Sequence, residues 1–280
     1  MLMKGRFRTP ALLALFLALQ SAPIAAQDDL IAREEGTFAD VATLADMAGL
    51  VARVQVTMMA QIEQSHAMGV RPGYGRFYIE GKTVALLTGK TPLGEQVKYL
   101  VDLPLTPYGE AANLKRQNFF IFARRVPSHP DELQLVTPTA QLPWSPSGAV
   151  RLRRILRSIV SPDAPPRITG VRELIYVPGP LAGQGRTQIF LTTHDGSAAS
   201  ITVRHKPGEA ATWEASFSEL TAKGGTPLPG TLEWYRLACF LPSNPYPATN
   251  LSMTDRGRWQ AFADYSFVLN DLGPCQRNLV

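Results

Sequence analysis

Residues 75–104 read GRFYIEGKTVALLTGKTPLGEQVKYLVDLP, and this stretch decides the fold that the sequence predicts. Apolar residues recur on both sides of Gly81, which is typical of one long strand interrupted by a bulge or bend. Val97, Tyr99 and Val101 then occupy every second position, which indicates another half-buried strand.

Three neighbouring segments extend this pattern. Residues 50–63 alternate; their apolar positions would also align on a helix, but their β-branched valines favour a strand. Residues 117–126 (QNFFIFARRV) are apolar on both faces and predict a central strand, and residues 131–138 (DELQLVTP) predict a fifth. Five strands with little helix predict that residues 44–145 form an antiparallel barrel of the OB-like type.

Residues 146–280 mix helices and strands. Ser145 and Pro146 are typical of a helix start, and a helix follows to Val160. Two more helices are predicted after Thr231 and Thr254. Between the helices, three or four strands form a meander, at 169–177, 186–194, 198–205 and from 212 onward. The last helix is expected to bury a stripe consisting of Trp259, Phe262, Ala263, Ser266 and Leu269. We therefore expect a β-rich α+β protein with a second, α+β domain.

The first 26 residues have the pattern of a secretory signal peptide. A basic segment precedes the apolar run ALLALFLAL, and the small-residue segment QSAPIAAQ follows. Cleavage is expected between Ala26 and Gln27, leaving residues 27–43 as a polar N-terminal arm. The alternative is a short buried helix. No apolar run reaches the roughly 20 residues of a membrane-spanning helix, so we expect a periplasmic or secreted protein.

The expected export changes how the charge and the two cysteines are interpreted. The chain has 28 Lys and Arg against 23 Asp and Glu, but residues 1–26 contain three of the bases and no acid, which leaves a net charge of +2. This weak charge argues against nucleic acid as a partner. The two cysteines, Cys239 and Cys275, predict one disulfide; a catalytic or metal-binding thiol pair is the alternative, without CxxC spacing to support it.

The sequence contains no pattern that identifies a catalytic, cofactor or metal site. The spacing of its four histidines matches no common zinc motif, and neither GxSxG nor SxxK occurs. We therefore expect no cofactor and lean towards a non-catalytic protein that binds a protein partner or a small ligand. The alternative is a hydrolase whose site is assembled only in the fold, with His194 or His129 as its base.

The densest basic group lies in the helix after Ser145. It consists of Arg151, Arg153, Arg154 and Arg157, beside an apolar stripe. Such a face could contact anionic lipid headgroups or another anionic partner. The alternative, which the sequence favours, is a solvated face whose arginines pair with nearby acids.

The segments AGLVARVQV, GRFYIEGKTVALLTGKTPLGEQVKYLVDLP and NFFIFARRV resemble exported modules with an OB-like barrel, the netrin and tissue-inhibitor-of-metalloproteinase superfamily. The resemblance covers residues 44–140 and implies the barrel. The family's N-terminal cysteine is replaced by Gln27, and its disulfides are missing from this half, so metalloprotease inhibition does not carry over. The remaining half is similar to uncharacterised exported bacterial proteins, and no functional residue transfers.

Overall fold

The computed structural model describes residues 36–218 and 224–279. The predicted signal peptide, its cleavage site at Ala26 and Gln27, and most of the predicted arm lie outside the described residues. The structure is a strand-rich α+β fold. Its elements are α1 (Phe38–Met47), β1 (Leu50–Gln61), β2 (Tyr74–Gly89), β3 (Gln96–Pro104), β4 (Asn118–Val126), β5 (His129–Leu135), β6 (Gln141–Pro143), α2 (Pro146–Val160), β7 (Ile168–Pro178), β8 (Gly185–Thr193), β9 (Ser200–His205), β10 (Thr212–Ser216), α3 (Leu232–Ala238) and α4 (Asp255–Leu272).

The first five strands form a closed barrel, as the sequence predicted. Their order is β1-β2-β3-β5-β4, and β4 pairs with β1 to close the barrel. All neighbours are antiparallel except β3 and β5, which run parallel. This is the strand order of an OB-like barrel, with β6 added beside β4. The sequence did not predict β6, which is only three residues long.

The interruption at Gly81 has a steric cause. The register between β1 and β2 shifts where Val56 and Met58 face Gly81 and Glu80. A Cβ on Gly81 would lie 2.2 Å from Cγ1 of Val54, so only glycine lets the two backbones approach this closely. The predicted bulge is therefore confirmed, and it bends the longest strand around the barrel.

The prediction of a polar arm up to residue 43 is wrong for its last part, because Phe38–Met47 is a helix with a buried face. Thr37 and Asp40 form a reciprocal capping box at its start. The buried carboxylate of Asp40 also accepts hydrogen bonds from the backbone N–H groups of Asn278 (2.9 Å) and Leu279 (3.2 Å). The helix therefore anchors the C-terminal tail.

The second half contains the predicted meander and three helices. The sheet has the order β10-β9-β8-β7, and the turn at Asp195 and Gly196 lies between β8 and β9. Ser145 caps α2 by accepting from the backbone N–H of Gly148, as predicted. The disulfide between Cys239 and Cys275 is confirmed, with its Cα atoms 5.0 Å apart, and it joins the end of α3 to the tail after α4.

One continuous cluster of buried apolar residues runs through both halves, from Ala39 to Leu272. A buried ion pair crosses the same region: Asp46, at the end of α1, accepts from Arg236 of α3, with Nη2 to Oδ1 at 3.1 Å. Arg236 also donates from Nε to the carbonyl of Pro165 at 3.2 Å. The domain boundary near Ser145 stays a prediction.

The predicted buried face of α4 is wrong. Trp259 is 69% exposed and Ser266 is also exposed, whereas the buried positions include Ala261, Asp264 and Val268. The inner face of the helix instead carries the carboxylate of Asp264, which binds polar groups of the sheet, beside buried Tyr265 and Leu272.

None of the described helices has both the length and the apolar character needed to cross a membrane.

Candidate functional site: a cleft on the barrel

A cleft opens on the outer face of the barrel where β3 and β5 separate. These strands pair only where Lys98 faces Glu132 and Tyr99 faces Leu133. They diverge beyond this point, and backbone contact resumes where the N–H of Asp102 donates to the carbonyl of Pro138 at 2.7 Å. The resulting cleft has a volume of about 600 Å³, which is the size of a small-ligand site.

The cleft combines apolar and polar side chains. Leu100 is 47% exposed and faces outward beside Tyr78, its cross-strand partner. The cleft is lined by apolar Leu100, Val126, Val136 and Pro138, and by polar Tyr78, Lys98, Glu132, Gln134 and Thr137. Exposed apolar surface flanked by polar groups is typical of a binding cleft.

A fixed ion pair bounds one end of the cleft. Arg76 donates to both carboxylate oxygens of Asp102, from Nε at 2.7 Å and from Nη2 at 3.0 Å. This hydrogen-bonded contact raises the pKa of the Arg76 guanidinium. A third donor, Nη1, binds the carbonyl of Met68 at 3.2 Å, so the guanidinium is held on two sides. Asp102 is 5% exposed, which makes this pair a rigid part of the wall.

A second ion pair bounds the other end, nearer the solvent. Lys98 Nζ lies 3.0 Å from Asp131 Oδ2. Their hydrogen bond raises the pKa of the Lys98 ammonium and lowers that of the Asp131 carboxyl. Burial, and then the hydrogen bond that its hydroxyl donates to Glu80, raise the pKa of the Tyr78 phenol. The cations around the cleft thus already have carboxylate partners.

The His205 imidazole forms the other notable polar cluster, at the junction of the second sheet and α4. Its Nε2 lies 2.8 Å from Oδ1 of Asp264, which also accepts from Gln260 Nε2 at 2.8 Å. The hydroxyl of Thr187 donates to the other carboxylate oxygen, Oδ2. Asp264 is 3% exposed, and these partners explain why a carboxylate can be buried in α4. This cluster could not be predicted from a local pattern, because its members come from three separate elements, β8, β9 and α4.

The histidines named as candidate bases are not brought into such a cluster. His129 is exposed at the start of β5, with Nδ1 3.9 Å from Glu132. His194 is exposed beside its turn, where Ser197 donates to Asp195 rather than to the imidazole. Among the described residues, no group of three or more His, Cys, Asp or Glu side chains is placed to hold a metal ion.

The four arginines of α2 lie on one side of the helix. Arg153, Arg154 and Arg157 are exposed, and Arg151 is half-buried.

A further apolar surface surrounds the start of α4. Four exposed apolar side chains occur within residues 246–259: Tyr246 (75%), Leu251 (53%), Met253 (96%) and Trp259 (69%). Aromatic residues and methionine are enriched at protein interfaces.

No protein family model matches the chain, and no curated protein sequence matches it either. The geometry of the molecule therefore carries the functional argument.

Proposed function

We propose that this is an exported, periplasmic or secreted protein without catalytic activity. In this proposal the cleft between β3 and β5 binds a small ligand or a short segment of a partner protein in the cell envelope. The observation that carries the proposal is the exposed apolar surface around Leu100, inside a cleft of about 600 Å³ whose arginine and lysine both contact carboxylates. A site of this size and composition suits an occupant with an apolar group.

The ion pairs limit which classes of ligand can bind in the cleft. Arg76 and Lys98 already contact carboxylates, so neither offers a free positive charge to a phosphate backbone. Two phenols, Tyr78 and Tyr99, line the cleft, and Tyr99 is only 3% exposed, whereas binding to single-stranded nucleic acid uses several accessible, stacked aromatic rings. These features support an occupant with little net charge, such as an amphipathic small molecule or an uncharged peptide segment.

Two other observations support export and binding to a partner. A disulfide such as Cys239–Cys275 is typical of an oxidising compartment, which agrees with the signal pattern in residues 1–26. The exposed apolar side chains of residues 246–259 would suit a protein partner.

A hydrolase is the alternative, and the pair of His205 and Asp264 is the arrangement that most favours it. An imidazole held by a buried carboxylate is the base of many hydrolases. However, the nearby hydroxyl of Thr187 donates to Asp264 and not to His205, so it is not placed as a nucleophile activated by the imidazole. The cluster is better explained as a polar contact that fixes α4 against the sheet.

The test is an NMR binding screen of the chain from Gln27 onward, which retains every described residue. Uncharged peptides, oligosaccharides and amphipathic small molecules are added to ¹⁵N-labelled protein. We expect at least one class to shift amides around Leu100 and Val136. Leu100→Glu should weaken this binding at least about tenfold, since it places a charge on the apolar surface. Leu181→Glu, at another exposed leucine, is the matched control.

Two results would contradict the proposal. One is that all probes leave the cleft amides unchanged. The other is that the purified protein turns over generic ester or glycoside substrates and loses this turnover in His205→Gln while folding normally.

A further inference from the structure

One face of α2 combines positive charge with exposed apolar side chains. Val150, Arg153, Arg157 and Val160 are spaced three, four and three residues apart, so they form one stripe along the helix. Both valines are 68% exposed and lie towards the two ends of this stripe. Arg154 lies beside the stripe and is exposed as well. We call these five residues the α2 face.

The arginines of the α2 face lack the acidic partners that the sequence favoured. The helix contains no Asp or Glu. Arg153, Arg154 and Arg157 take part in none of the ion pairs found among the described residues. In contrast, other partly exposed arginines of the protein, such as Arg204 and Arg258, do contact carboxylates. The α2 face therefore presents three uncompensated positive charges to an external partner.

The buried side of α2 limits how the α2 face can bind a partner. Leu152, Ile155 and Leu156 are at most 6% exposed and belong to the core that runs through both halves, called the common core below. The helix cannot turn over or insert fully into another medium without breaking the core. A partner must therefore approach the α2 face as a surface, over the roughly 15 Å that separate Val150 from Val160 along a helix.

We infer that the α2 face docks the folded protein onto an anionic phospholipid surface. Guanidinium groups bind lipid phosphates at the headgroup level, while flanking apolar side chains enter the region just below. The two exposed valines distinguish this partner from nucleic acid, because a phosphate backbone offers them no apolar environment. The contact does not depend on the barrel cleft.

The experiment is vesicle co-sedimentation of the chain from Gln27 onward. Vesicles of pure phosphatidylcholine are compared with vesicles that contain about one third phosphatidylglycerol, at low and high salt. We expect binding only to the anionic vesicles, and weaker binding at high salt. The combined variant Arg153→Gln, Arg154→Gln and Arg157→Gln should lower the partition coefficient on the order of 100-fold, since each arginine near an anionic surface contributes about fivefold.

Two further variants distinguish binding through the α2 face from a general effect of positive charge and from binding to other polyanions. The combination Lys115→Gln, Arg186→Gln and Arg256→Gln removes three exposed charges elsewhere, and it should retain most of the binding. Val150→Ser with Val160→Ser keeps every charge and should still weaken binding severalfold. Circular dichroism checks that each variant is folded.

Three outcomes would overturn the inference. The first is that folded wild-type protein sediments equally with neutral and anionic vesicles, or with neither. The second is that the two charge-removing combinations weaken binding equally. The third is that the serine variant binds as the wild type does while duplex DNA competes with the vesicles, which would assign the α2 face to polyanions in general.

Discussion

The buried ion pair between Asp46 and Arg236 provides the sharpest prediction about stability. The Arg236 side chain is 4% exposed and the Asp46 side chain 7%, and the pair joins α1 to α3 across the common core. Arg236→Met removes the guanidinium, fills a similar volume, and leaves the carboxylate of Asp46 largely buried. Arg167 is its remaining cation, with Nη2 3.6 Å from Oδ1.

The expected cost follows from this burial. Removing one partner of a buried pair costs about 3–5 kcal/mol, because the other charge loses its compensation. The contact of Asp46 with Arg167, whose side chain is 48% exposed, places the cost towards the lower end of that range. A matched control is Arg204→Met, which breaks a pair with Glu214 whose side chains are 47% and 34% exposed. Such exposed pairs contribute about 1 kcal/mol or less.

The assay is equilibrium urea unfolding followed by tryptophan fluorescence. We expect one cooperative transition for the wild type, because the core is continuous, and a clearly lower midpoint for Arg236→Met than for Arg204→Met. Asp46→Leu combined with Arg236→Met should recover part of the loss, since it removes the uncompensated carboxylate. Equal losses in the two single variants, or no recovery in the double variant, would refute the reasoning about this pair.

Three other predictions can be checked by the same unfolding assay. Replacing both Cys239 and Cys275 by alanine should cost about 4 kcal/mol, because the bridge spans a sequence separation of 36 residues; a loss below about 1 kcal/mol would contradict this. Gly81→Ala should cost about 1–3 kcal/mol, since its Cβ would lie 2.2 Å from a valine methyl of β1, whereas Gly170→Ala meets no atom within 4 Å and serves as the control. Trp259→Gln should change stability by no more than about 0.5 kcal/mol, because the indole is 69% exposed, and a loss above 2 kcal/mol would mean that it is packed.

The barrel could be predicted because the apolar pattern within each strand indicates which of its positions are buried. In β3, alternate positions such as Val97 and Val101 are buried, and β4 has consecutive buried residues from Phe119 to Ala123, as a strand between two neighbours requires. The caps at Ser145, Thr231 and Thr254 were also readable, because each depends on residues within one turn.

The errors occur where distant partners decide burial. The apolar stripe at Trp259 was expected to be buried, yet the buried positions of α4 include Asp264, whose partners His205 and Thr187 lie 59 and 77 residues away in the sequence. No periodicity within α4 reveals such partners. The capping box at Thr37 was a readable sign of α1, but the helix is short and packs against α2, α3 and β4, which follow much later in the sequence.

The cleft could not be predicted, because it arises from the geometry of two strands and not from a motif. Lys98, Leu100 and Glu132 are ordinary strand residues in the sequence. They define a cleft only because β3 and β5 separate after two paired residues. The α2 face shows the complementary case: the sequence identified its arginines, and the structure adds the exposure of the two valines.

Site-specific photo-crosslinking in cells that export the protein tests the central claim most directly. A photoreactive phenylalanine analogue replaces Leu100 in the cleft or, as the control, Leu181 in an exposed loop. The account predicts a defined adduct, with one reproducible mass, from position 100 and not from position 181. Adducts of the same mass and yield from both positions, or none from position 100 in a folded and exported protein, would contradict it.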